Sequence, residues 1–383
     1  MNKIIKFILL LIFTFPLFSE GVLAIEKIKI GLLVPLTGKN SEIGQSIIKS
    51  TRLAINQIDN LSIEIIPKDT ASSPEVTLKS AKELEKLGIR IVIWPVFNEN
   101  LIYLNELSNL TFLSLTNKND NRSSNIINAG INATSQLNAI KKFIELNEIK
   151  KTIFLTSDSN YKNEIIQAIS NSRIKIIENY IYDRDPTKLT KQIEKITNYE
   201  RRKQNLEDEI KRLEESNENN IEKLIERLKK KDTLGNVNFD SLIIADFDES
   251  LKSVTTSLLY TDILPKEKYF ITLNQWFDES LLKETNLQPI YFPSINKENY
   301  DNFSLEYFNK YNQYPNQLSF LSYDLIGLIY FLILQNESII NEKIFEKKIL
   351  FKGKVGIFEI KKNKINHILN FYKVENKKFK KIF

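Results

Sequence analysis

Short β-branched runs, polar turns and stretches with an apolar residue every three to four positions follow one another along the chain. Positions 28–58 read IKIGLLVPLTGKNSEIGQSIIKSTRLAINQI: a strand, a Pro/Gly/Ser turn, then an amphipathic helix over 44–58 carrying Ile47, Ile48, Leu53, Ala54, Ile55 and Ile58 near helical spacing. Further strands are expected at 62–67, 89–94, 111–115, 152–155, 174–181, 241–245 and 269–273. A second helix is expected over 75–86, entered by Pro74 and closed by Gly88. This alternation predicts an α/β protein with two parallel sheets covered on both faces. Right-handed crossovers then place ligands beyond the carboxyl ends of the strands. The apolar run at 325–334 is about half the ~20 residues that span a bilayer and reads as a buried helix.

One segment breaks the rhythm. Over 199–231 glycine and proline vanish, charge dominates, and apolar residues fall at Leu206, Ile210, Leu213, Ile221, Leu224, Ile225 and Leu228. The spacing predicts a coiled-coil seam, and SNENN at 216–220 is a natural reversal between two antiparallel helices. At ~1.5 Å per residue such an arm extends on the order of 20 Å. It reads either as a solvated structural insertion or as a partner-docking arm.

The first 24 residues combine Lys3 and Lys6 with an apolar stretch and the small residues Val22 and Ala24, the plan of a cleavable export signal. Cysteine is absent, which excludes disulfides, thiolate metal sites, thiol nucleophiles and a lipid-bearing lipobox cysteine. The single histidine, His367, alternates with apolar neighbours in INHILNFYKV and reads as a strand surface residue. Carboxylates, hydroxyls and backbone groups remain, and no catalytic or metal-ligating motif arranges them. At 383 residues and 42% hydrophobic content the chain can bury two domain cores. The net charge of +6 is spread through interleaved lysines and acids, which argues against a nucleic-acid partner. The concentration in NKKFKKIF at the carboxyl end reads as a frayed basic tail.

Several stretches resemble the type 1 periplasmic ligand-binding (leucine-binding-protein-like) proteins, and among them the penicillin-binding protein activator, or LppC-like, family. GLLVPLTGKNSEIGQSI resembles that family's opening strand and loop, and PKDTASSPEVTLKSAKEL its second strand and helix. FDSLIIADFDESLKSVTTSLLYTDI, QWFDE, FSLEYFNKYNQYPNQLSFLSYDLIGL and FKGKVGIFEIKKN resemble later segments, and the insertion ending in KKKDTLGNVNFDSL is the most discriminating. The resemblance implies two doubly wound lobes without enzymatic activity or cofactor. Lobe one would comprise 25–138 plus 293–336, and lobe two 139–292 plus 337–383, with the helical insertion at 199–231 in lobe two. Three chain crossings would form the hinge.

Strand-end geometry nominates a cleft. Thr37, Gly38 and Ser41 follow the first strand; Pro95, Val96 and Phe97 the third; Ser114, Thr116 and Asn117 the fourth. Lobe two adds Ser157, Asp158, Tyr161, Asp246, Asn274 and Trp276. Such hydroxyls, amides and helix amino ends suit a small polar ligand. Departures from the amino-acid receptors narrow this. Val96 and Phe97 stand where those receptors place a small hydroxyl residue, and Asn274, Gln275 and Trp276 where they place an acid. Trp94-Pro95 replaces their Gly-Pro, and Tyr161-Lys162 their Tyr-Gly. A ligand ammonium then finds no charged partner unless Asp246 or Asp158 serves. The resemblance implies a periplasmic binding protein that docks on a peptidoglycan synthase, a penicillin-binding protein, and stimulates it. The alternative is a solute receptor delivering a small polar ligand to an ABC transporter permease.

Overall fold

The structure is a computed structural model that describes residues 28–58, 63–93, 95, 97–118, 123–159, 161–216, 221–335 and 342–383. The expected signal at 1–24, Trp94, Val96 and positions 217–220 of the expected reversal lie outside the described residues.

Five parallel strands form the first sheet: β1 (Ile28–Val34), β2 (Ile63–Asp69), β3 (Ile91–Ile93), β4 (Thr111–Ser114) and β5 (Ile126–Asn128), in the order β2-β1-β3-β4-β5. Ile30 of β1 lies opposite Ile65 on one side and Ile91 on the other, which aligns the apolar rows. Helices α1 (Ser41–Ile55) and α2 (Pro74–Lys86) cover it. Ser73 caps α2 by accepting from the Val76 N–H, and Pro74 occupies its first turn. The start of α1 depends on Gly44, because a Cβ there would lie 1.9 Å from the Pro35 carbonyl oxygen.

The chain crosses through α3 (Ala133–Leu146), capped by Asn132, into a second sheet. Its strands β6 (Thr152–Ser157), β7 (Glu178–Tyr182), β8 (Ser241–Ala245), β9 (Tyr269–Thr272) and β10 (Ile290–Ser294) run β7-β6-β8-β9-β10 and repeat the winding of the first sheet. Intervening helices are α4 (Lys162–Ser172), α5 (Pro186–Ile196), α6 (Tyr199–Glu214), α7 (Ile221–Leu228), α8 (Asp248–Tyr260) and the short α9 (Ser280–Lys283). The chain then returns through α10 (Lys297–Tyr311) and α11 (Ser319–Gln335) to pack on α1. Small residues allow that close approach: Ser46 Oγ lies 2.7 Å from Ser319 Oγ, and the Ser50 hydroxyl donates to the Ser319 carbonyl at 2.6 Å. The buried helix expected at 325–334 lies within α11.

A three-stranded antiparallel sheet follows, β11 (Ile349–Lys352), β12 (Ile357–Lys361) and β13 (Lys364–His367), and it packs against α11, α3 and β5. Of the two last strands, β14 (Asn370–Glu375) adds antiparallel to β10 and β15 (Lys378–Lys381) antiparallel to β14, so the second sheet is mixed and not purely parallel as expected. The carboxyl end is therefore a paired strand, where a frayed tail was expected. Phe379 packs its ring 5.5 Å from Phe277, and Phe383 stacks 5.6 Å from Phe371 under the Lys142 ammonium. Lys378 and Lys381 are exposed on this edge strand and blunt it. His367 is likewise a correction. It lies on a strand, but period-two alternation puts it with Ile365 on the buried face, not on the surface. The expected strand at 174–181 begins only at Glu178, after the left-handed Arg173 that ends α4.

The largest apolar cluster runs from the first sheet through α3 and α11 to one face of the second sheet; the other face has its own core around Leu242, Val254 and Phe270. The arm, α6 and α7, holds a third and separate cluster of Leu206, Leu213 and Leu228. Leu224, expected in its seam, is exposed.

Candidate functional site

The carboxyl ends of the strands differ sharply in how completely their polar groups are used. After β1, the Thr37 hydroxyl donates to Asp69 Oδ2 at 2.7 Å, while Asp69 Oδ1 accepts the N–H groups of Leu36 and Ala71. Burial pushes the Asp69 carboxyl up, but the hydrogen bonds from the Thr37 hydroxyl and the backbone N–H groups together outweigh it and hold the carboxyl below its usual range. Ser41 lies on an outer groove beside Tyr307 and Asn316. Phe97 precedes a short 3-10 turn, the Ser114 hydroxyl donates to the Pro95 carbonyl at 2.7 Å, and Thr116 accepts the Lys118 N–H. These residues close turns.

The second sheet places Asp246 at the end of β8, essentially inaccessible. Its Oδ1 accepts from the Tyr161 hydroxyl at 2.8 Å and from Arg184 Nη2 at 3.0 Å, and its Oδ2 accepts from the Tyr182 hydroxyl at 2.5 Å. Burial, with the Asp246 charge alongside, raises both tyrosines, so they remain donors. Asp158 pairs with Lys162 at 2.6 Å. Both acids that could have received a ligand ammonium are thus already paired.

The loop after β9 behaves differently. Asn274 is buried, its backbone N–H donates to Gln136 Oε1 on α3 at 2.9 Å, and its Oδ1 accepts from the Trp276 N–H and the Ser294 hydroxyl, each at 2.9 Å. Two donors on Oδ1 fix which end of the amide is nitrogen. Among the described residues Asn274 Nδ2 has no partner. Trp276 and Phe277 follow with φ of +51° and +58°, and the Asp278 N–H closes the turn on the Gln275 carbonyl at 2.9 Å. Two consecutive left-handed aromatic residues cost on the order of 1–3 kcal/mol each. The rings of Phe292, Tyr372 and Phe379 around Phe277 oppose that strain, and Trp276 reaches across to within 6.2 Å of Phe320 on α11.

Beneath this turn lies a cavity of about 200 Å³. It is lined by the apolar residues Leu115, Ile131, Leu318 and Leu321, the aromatic residues Phe247 and Trp276, and the amide-bearing residues Asn117, Gln136 and Asn274. Of the expected cleft residues, the structure brings Asn117, Asn274 and Trp276 together here. Thr37, Ser41, Phe97, Ser114, Thr116, Asp158, Tyr161 and Asp246 do not line this cavity. Leu318 and Leu321 carry no signal in the strand-end rule because they come from α11, which returns from the far end of the chain. Gln136 follows the Asn132 helix cap, a signal that could have marked it. A larger depression of about 740 Å³ beside Lys266, Gln288 and Glu375 is an open surface feature at the β14–β15 turn, away from the carboxyl ends of the parallel strands. Among the described residues no group of three or more acids and histidines could hold a metal ion, and no helix is long and apolar enough to cross a membrane.

The profile of a family described as periplasmic binding protein matches residues 27–196. No curated protein sequence matches the chain. Among solved structures, a leucine binding protein from Thermotoga maritima is similar over 93% of this chain and 98% of its own, with 15% identity and a TM-score of 0.56. The periplasmic ligand-binding protein of a branched-chain amino acid ABC transporter from Burkholderia xenovorans aligns over 93% and 94%, with 11% identity and a TM-score of 0.63. The C-domain of LpoA from Haemophilus influenzae, a regulator of PBP1A, aligns over 93% and 100%, with 13% identity and a TM-score of 0.60. Two sheets of the same winding, facing strand ends and these likenesses together give the type 1 periplasmic-binding-protein fold.

Proposed function

We propose that the protein is a non-catalytic, exported binding protein that regulates peptidoglycan synthesis by docking on a synthase, with its helical arm as the docking element. The observation that carries this reading is the arm itself. It has its own apolar core and is held at its root by Arg202, whose guanidinium donates to the carbonyls of Gly235, Thr261 and Asp262 and to the Thr233 hydroxyl. A rigidly rooted projection that lines no part of the cavity is suited to a protein partner. Likeness to a PBP1A regulator supports the same reading. Residues 1–24 act as a cleaved signal for the periplasm. The lobes are 25–138 with 293–336 and 139–292 with 337–383, and they hinge at three crossings. The partner's active conformation is favoured through differential binding, with no catalytic group contributed.

The experiment removes 199–230, closes the gap with a short linker, and measures synthase pull-down and stimulation. Both should be lost while the remaining fold stays intact. Unchanged pull-down and stimulation would remove the arm from the mechanism. A second reading, a solute receptor serving an ABC transporter, is favoured by one observation, the partly open cavity beside Asn274, lined by residues that follow strands of both sheets.

A further inference from the structure

The basic segment around β15 belongs neither to the cavity nor to the arm. Lys377, Lys378, Lys380 and Lys381 follow one another with only Phe379 between them and no acid. Pairing with β14 fixes them at the free edge of the second sheet. Lys380 and Lys373 both pair with Glu375, at 2.7 and 2.9 Å. Lys377, Lys378 and Lys381 are exposed and pair with no acid among the described residues. Lys142 of the adjacent α3 adds a further unpaired ammonium, 4.1 Å from the centre of the Phe383 ring. Glu145 and Glu148 are exposed near the end of α3, so the basic centre lies on β15 and not on the helix.

Lysines on an edge strand protect it from pairing with another strand, and that alone would account for the charge. It does not account for the apolar groups set among them. Ile382 is 39% exposed beside Lys381, and Leu146, one helical turn beyond Lys142, is 63% exposed. The Ile382 N–H donates to the Phe371 carbonyl at 2.7 Å, so strand alternation continues past Lys381. Lys378 and Ile382 then leave one face of the rim and Lys381 the other. From 377 to 381 the rim spans roughly 13 Å at ~3.3 Å per residue. A small anion needs donors that converge on one point; cations spread along both sides of a rim match a flat surface met edge-on. Every cation here is a lysine, a hydrated point charge on a flexible stem, without the fork by which arginine fixes one carboxylate or phosphate. Lysine stems beside bare aliphatic side chains suit the boundary between lipid headgroups and acyl chains.

We propose that the β15 edge, with Lys142 and Leu146 of α3, docks the protein on an anionic lipid bilayer, its free ammonium groups at the headgroup phosphates and Ile382 at the acyl boundary. The proposal goes beyond the arm's role in binding a synthase and does not depend on it.

Vesicle co-sedimentation tests it on the protein from Ile25 onward, so that the apolar stretch in the first 24 residues does not itself enter the bilayer. The probes are vesicles of phosphatidylcholine alone and of phosphatidylcholine with phosphatidylglycerol in equal parts. Partition to the anionic vesicles should exceed partition to the neutral ones by about tenfold or more, and the excess should shrink as salt rises. Lys378→Gln with Lys381→Gln should weaken anionic binding by about tenfold or more. Ile382→Ser should weaken it by about threefold. The same charge removed from the exposed face of α2, by Lys79→Gln with Lys82→Gln, should change binding by less than about twofold. Equal partition to both vesicle types, or binding to neither, overturns the proposal without any variant. An equal loss from the α2 pair assigns the effect to net charge and overturns it as well. Synthase stimulation lost in the β15 pair while vesicle binding stays unchanged would make an acidic protein surface the partner instead. Deleting 199–230 should leave vesicle binding intact, so failure here is separate from failure of the arm.

Discussion

In the body, Ile30, Leu32, Leu33 and Val34 of β1 vanish from solvent between helices, and the apolar cluster they belong to continues through α3 and α11 into the second sheet. In the arm, the buried apolar residues among those described are Leu206, Leu213 and Leu228, with Ile210, Ile221, Ile225 and Leu234 packed partly against them. The body keeps its shape by apolar continuity over many elements. The arm has one seam and one polar anchor, so its attachment depends on few groups. The difference implies that polar damage in the body should be felt globally, and that the same damage at the arm's root should stay local.

The largest expected effect lies in the body. Asp324, the one charged residue of α11, accepts the backbone N–H groups of Lys354, Val355 and Gly356 and so ties the β11–β12 turn to the helix. Asp324→Ala leaves those buried donors without an acceptor, and global stability should fall by about 3–5 kcal/mol. Denaturant unfolding followed by circular dichroism measures it. A loss below about 1 kcal/mol, or one confined to a separate transition, would blur the distinction between body and arm.

Next comes the arm's root. Arg202→Ala deprives three carbonyls of a charged donor and opens space between α6 and the Thr261 turn, costing about 2–4 kcal/mol locally. Amide exchange should quicken over α6 and α7 while protection of β1 and β8 is retained. If exchange quickened equally throughout, the arm would share the body's cooperativity and the comparison would fail.

Much of this division was legible before any coordinates. The first strand, turn and helix, the buried helix at 325–334 and the helical character of 199–231 follow from periodicity alone, because burial on one face is a local property of sequence. Within the candidate site, Asn117, Asn274 and Trp276 were reachable through the rule that ligands gather beyond strand ends. The rule could not tell that Thr37 would be spent on Asp69, or Asp246 on Tyr161, Tyr182 and Arg184. Those pairings join residues 32 to 85 positions apart and exist only once strands are in register. The terminal strands were hidden for a different reason. Lysines dominate KKFKK, and only pairing with β14 and the aromatic cluster around Phe379 makes it a strand.

The smallest expected effect is a pair of opposed pH slopes, and it arises in the body alone. Asp324 and His367 flank Gly356: a Cβ built there would lie 3.4 Å from Asp324 Oδ2 and 3.8 Å from His367 Nδ1. Burial pushes Asp324 up to about 7, against its three N–H donors and Lys354. Burial also pushes His367 down to about 4, against its bond to the Ala129 carbonyl. From the ordinary 3.8 to about 7 the folded state holds the Asp324 proton more tightly than the unfolded chain, so that contribution is lost as pH rises. Between about 4 and the ordinary 6.5 the unfolded chain binds the His367 proton more tightly, so that contribution is lost as pH falls. Over roughly pH 5 to 6.5 the two slopes oppose each other, each at most about 1.4 kcal/mol per pH unit. Relative to the parent, His367→Gln should lose stability as pH rises through this window, and Asp324→Asn should gain it. Urea midpoints at several pH values measure both, and a version lacking 199–230 should reproduce them. Slopes of the same sign in the two variants would mean that the groups do not titrate as burial dictates, and slopes that change when the arm is removed would tie the arm electrostatically to the body.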